Sequence, residues 1–226
     1  MSDRISILLG FLIGLGPTFG LLWAVMSRYE RKIAERDTNA SFVLGIFAGI
    51  VVIIGHLFFI SYYSLSVIGL ISAFGLALAE CLLYYMFLNR RKTRGRSDKA
   101  FLGLAFSLGA ASMYIAFLMG QLVVNIDYYW DHILGLVIFA VGASTIRGSM
   151  GILMARSTNR RNLYRTALKG MLILGSFNTA TILYLNPIEP FFWVLSLPCA
   201  AIGLFAFARF YGDLVHVKRW DPDVNR

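Results

Sequence analysis

Charge is scarce in this chain. Only 15% of its 226 residues are Asp, Glu, Lys or Arg, against 58% hydrophobic, and the mean hydropathy is +0.69; an average soluble domain is about 25% charged and about 45–50% apolar. A soluble globular enzyme is therefore excluded. Cysteine is equally sparse, and Cys81 and Cys199 both fall inside apolar segments, so no disulfide framework or paired-cysteine metal site is implied. The three histidines form no HExxH or clustered set, which leaves nothing to indicate zinc or another cofactor. Acidic residues number 12 against 21 basic ones, a net charge of +9.

What the chain has instead is long apolar runs. They fall at about Ile5–Met26, Ser41–Tyr62, Ser64–Leu88, Ala100–Ile126, His132–Ala155, Ala167–Leu185 and Phe191–Tyr211, each long enough to be read as a bilayer-spanning helix. At about 20 residues per span, seven helices use ~140 residues and leave about 86 for loops and tails. The expectation is one all-α, polytopic domain over residues 1–226. The second and third spans meet at a very tight turn, Tyr62-Tyr63-Ser64, but two spans are needed there because one would be about twice the bilayer. The first run exceeds the 7–15 residue core of a cleavable signal and lacks a small-residue cleavage site, so it reads as a retained span.

The basic residues give the orientation. Arg28, Arg31, Lys32 and Arg36 lie in the first loop, Arg90, Arg91, Lys92, Arg94, Arg96 and Lys99 in the third, Arg156, Arg160, Arg161 and Arg165 in the fifth, and Lys218, Arg219 and Arg226 in the tail. Thus 17 of the 21 are on one side, and that side is expected to be cytoplasmic, with the N-terminus outside and the C-terminus inside. The positive charge is then topology plus attraction to anionic headgroups. It does not imply nucleic acid, since no soluble module with interleaved aromatics carries it.

Five ionisable side chains fall within the apolar runs: His56, Glu80, Arg147, Lys169 and Arg209. Lys169 and Arg209 are two or three residues from cytoplasmic ends and can snorkel. Glu80 and Arg147 are each eight residues from an inner end, hence ~12 Å deep. A buried pair or a shared polar cavity is the expectation, since an ionised group in hydrocarbon needs a partner. Ser144, at ~16 Å, and the Ser176–Asn178–Thr179 cluster, at ~14–18 Å, lie near the same level. Such groups serve either as hydrogen-bonding glue between helices or as the lining of a hydrated cavity. His56 reads as a packing residue, because its depth differs from that of Glu80 by ~10 Å for untilted helices. Gly103, Ser107 and Ala111 recur every four residues, a stripe that permits close helix approach inside the bundle or against a partner.

Several segments together resemble a known family. Gly10-Phe11-Leu12-Ile13-Gly14-Leu15-Gly16-Pro17-Thr18-Phe19, Glu80 with Tyr84-Tyr85, the Gly103/Ser107/Ala111 stripe, Tyr128-Tyr129, Ser144-Thr145-Ile146-Arg147-Gly148 and Leu185-Asn186-Pro187 are similar in order and spacing to the seven-span Aph (anterior pharynx defective) subunit of gamma-secretase. A more distant resemblance is to the PrsW and CAAX-type intramembrane peptidases. It covers about Gly10 to Phe207. The resemblance implies a scaffold that holds a polytopic partner such as an intramembrane protease. Ser144 and Ser176 stand where the family carries histidines, and of the PrsW-type active-site set only Glu80 and Asn178 have counterparts. The leading expectation is therefore a non-catalytic scaffold in the plasma membrane of a prokaryote, contacting membrane lipids and a membrane partner, with Glu80, Ser144, Arg147, Ser176 and Asn178 around a polar cavity. A peptidase using Glu80, and a small-solute transporter or channel, remain the alternatives.

Overall fold

The computed structural model describes residues 3–29, 35–59, 66–93, 96–125, 130–157, 160–185 and 191–215. All regular structure among them is helical: α1 Asp3–Tyr29, α2 Glu35–Phe59, α3 Val67–Leu88, α4 Lys99–Asn125, α5 Trp130–Ala155, α6 Arg160–Leu185 and α7 Phe191–Val215. Each coincides with one expected apolar run, but several ends differ. α2 begins six residues before Ser41 and α6 seven before Ala167, because backbone hydrogen bonding continues into polar turns after the apolar pattern stops. α3 begins at Val67, not Ser64; the Ser66 side chain accepts from the Gly69 amide at 3.1 Å and caps it, satisfying an amide that a helix start leaves without an intrahelical acceptor. The proposed turn at Tyr62–Ser64 lies outside the described residues.

Among the described residues five helices, α1 to α5, are long and apolar enough to cross a membrane. The opening of α6 carries Arg160, Arg161, Arg165 and Lys169, and the described apolar stretch of α7, Ser196–Gly212, is shorter.

α4 is the central post. Of its apolar window 89% is buried inside the bundle, against 33% for α1 and 39% for α2. α1, α2 and α5 pack on it, α7 packs on α5, and α3 pairs with α6. Lipid is as apolar as leucine, so helix association in a bilayer rests on close van der Waals contact rather than on escape from water. Small residues supply that contact here. A Cβ on Gly14 would lie 2.5 Å from the Ala116 Cα, and one on Gly103 2.5 Å from the Gly151 carbonyl oxygen. α4 therefore meets α1 and α5 backbone to backbone. Gly103, Ser107 and Ala111 all face this interior, where Ser107 also touches the Gly151 position, so the stripe serves packing within the bundle.

Candidate functional site

The buried face of α3 follows from its small residues. Ala73, Ala77, Glu80, Cys81, Tyr84, Phe87 and Leu88 recur at helical spacing and are all buried. That periodicity turns Glu80 inward, with Tyr84 one turn below it on the same stripe. On α5, every residue from Gly142 to Ala155 is buried, so Arg147 has no route to the lipid face.

The two charges meet. Arg147 Nε donates to Glu80 Oε1 at 3.1 Å, with the side chains 0% and 1% exposed. The Tyr84 hydroxyl donates to the same carboxylate oxygen. The Arg147 guanidinium lies over the Tyr114 ring of α4, 3.9 Å from its centroid, and 5.4 Å from the Phe177 ring of α6; a desolvated cation over an aromatic face is attracted by about 2 kcal/mol. The Tyr114 hydroxyl in turn shares a 3.0 Å hydrogen bond with Nδ1 of His56 on α2. Side chains from five helices thus form one polar and aromatic chain: Tyr84, Glu80, Arg147, Tyr114 and His56, with Phe177 alongside.

This chain has spare hydrogen-bonding capacity. Glu80 Oε2, Arg147 Nη1 and Nη2 and His56 Nε2 are buried without a hydrogen-bond partner among the described residues, as is Asn178 Oδ1 outside this polar and aromatic chain. Leaving a buried polar group unpaired costs about 1–3 kcal/mol, so such atoms mark strain or a place where another group docks. The guanidinium offers an acceptor two free nitrogens in a planar fork, and Glu80 Oε2 offers a donor one free oxygen. Glu80 Oε1, by contrast, is already held by two donors.

The remaining residues expected at this site are placed less uniformly. Asn178 is buried and ties α6 to α3 through a 3.2 Å bond from Nδ2 to the Ala73 carbonyl. Ser144 is buried but its hydroxyl bonds the Ala140 carbonyl of its own helix. Ser176 is a correction: it is exposed, bonds Leu172 of its own helix and does not join the cluster. Two residues along α6 a helix turns through about 200°, which carries Ser176 to the face opposite Asn178. Lys169 and Arg209 are exposed. His56 is buried, as expected of a packing residue, and joins the cluster only through the Tyr114 hydroxyl. The depth count compared backbone levels, whereas the connection runs along the Tyr114 side chain.

Tyr84 and Tyr114 are the residues that sequence reasoning missed as site members. Tyr84 carried a usable signal, a hydroxyl four residues from an intramembrane carboxylate. Tyr114 carried only the general one that a buried tyrosine hydroxyl seeks a partner. Among the described residues no group of three or more His, Cys, Asp or Glu could hold a metal ion. In comparison with known proteins, the chain matches no family model, no curated protein and no solved structure.

Proposed function

We propose that the chain is a seven-span integral membrane protein, N-terminus outside and C-terminus cytoplasmic, that acts as a non-catalytic scaffold for a membrane partner. The resemblance to the Aph subunit and the basic first, third and fifth loops support this reading, with a prokaryotic plasma membrane as its setting. The observation that carries it is the buried Glu80–Arg147 pair with its unpartnered Nη1, Nη2 and Oε2 atoms. Such a pair fixes the register of α3 against α5, and that register sets the helix faces offered to another chain.

Affinity purification from native membranes in mild detergent, with mass spectrometry of what co-purifies, tests the proposal. Stoichiometric recovery of another polytopic protein, lost in a folded Glu80→Gln variant, is the expected result. Recovery of the chain alone contradicts it.

The peptidase reading keeps one observation in its favour, the inclusion of His56 in the Glu80 cluster. The double occupation of Glu80 Oε1 counts against it. Cleavage of membrane peptides that Glu80→Gln abolishes would decide for it.

A further inference from the structure

The inner faces of α1 and α2 leave a groove. Both helices pack mainly on α4 and touch each other through the Phe19 and Phe42 rings, 5.0 Å between centroids, and between them opens a space of about 580 Å³. Its walls are graded. Leu22, Phe42 and Ile46 line the deep part, while Ser27, Glu35 and Asn39 line the end where α1 stops and α2 starts. Counted along the helices, Leu22 lies ~10 Å and Ile46 ~16 Å from that polar end. Trp23 and Val43 stand exposed along its rim.

A groove with a polar mouth at a membrane surface and an apolar floor fits a phospholipid, head at the mouth and one acyl chain inside. The charge at the mouth selects the head. Glu35 lines the groove, is exposed and makes no ion pair among the described residues, so its carboxylate favours an ammonium. A primary ammonium adds N–H donors for the Glu35 carboxylate and the Asn39 carbonyl, which a quaternary one lacks. We propose that this α1–α2 groove is a binding site for phosphatidylethanolamine. It is separate from the Glu80–Arg147 cluster and does not depend on the scaffold reading.

Native mass spectrometry of the full chain in mild detergent tests it, by titration with dioleoyl phosphatidylethanolamine, phosphatidylcholine or phosphatidylglycerol in turn. The ethanolamine lipid is expected to bind about three-fold more tightly than either other lipid, the size of effect one partly exposed ion pair gives. Glu35→Gln should bring it to the level of the choline lipid. Val43→Trp, a change at a rim position already half exposed, should fill the groove and remove the tightest-bound lipid. Equal binding of the three lipids, tighter binding of phosphatidylglycerol, an order of preference unchanged in Glu35→Gln, or a lipid retained unchanged in Val43→Trp would each overturn the assignment.

Discussion

Among the described residues two ion-pair clusters hold this bundle, and their surroundings differ. Arg96, in the connection between α3 and α4, bonds Asp98 at 2.7 Å and also pairs with Asp37 in the first turn of α2. Its side chain is 18% exposed and that of Asp37 45%. The Asp98 hydrogen bond, followed by that to Asp37, raises the Arg96 guanidinium above its ordinary pKa, against the opposing effect of burial. Arg147 and Glu80 make the same kind of contact with no exposure to speak of. Arg96 and Asp37 keep access to water that can solvate a charge losing its partner, although Asp98 itself is buried; around Arg147 nothing can. The same chemistry is therefore a modest tether in one place and an all-or-none constraint in the other.

Substitutions can sharpen or break that contrast. The largest effect is expected for Arg147→Ala or Glu80→Ala, each of which strands a buried charge and should destabilise the fold by about 3–5 kcal/mol. Unfolding in detergent or bicelles measures this, and a loss below about 1 kcal/mol would put the buried pair in the class of the exposed one. Tyr114→Phe should come next. It removes the partner of His56 Nδ1 and leaves a buried nitrogen unpaired, a cost of about 1–3 kcal/mol. The smallest effect belongs to Asp37→Ala, which should cost no more than about 1 kcal/mol. That cost should vanish in 1 M salt, where the screening length is about 3 Å, whereas the Arg147→Ala effect should be insensitive to salt.

The sequence made the helices and the central pair legible for related reasons. An apolar run of about 20 residues admits few structures but a helix once the backbone must satisfy itself. A charge inside such a run has to find its opposite at similar depth, and counting residues from Leu88 and Ala155 sets that depth. What was not legible depended on rotation and on side-chain reach. Depth placed Ser176 beside Asn178, but only the azimuth of α6 shows that Ser176 faces outward. Backbone levels separated His56 from Glu80, but the Tyr114 ring closes the gap. Helix ends also escaped the pattern, as in the first turns of α6, because hydrophobicity reports the lipid-facing stretch rather than the extent of the hydrogen-bonded ladder.

A double-mutant cycle on Glu80→Ala and Arg147→Ala, read as unfolding free energy, tests most directly whether the pair acts as one buried unit. If it does, the double variant should be less destabilised than the sum of the singles, with a coupling of about 1–3 kcal/mol, because no charge is then left stranded. Additive losses would contradict it, since two groups that do not depend on each other cannot be what locks α3 to α5.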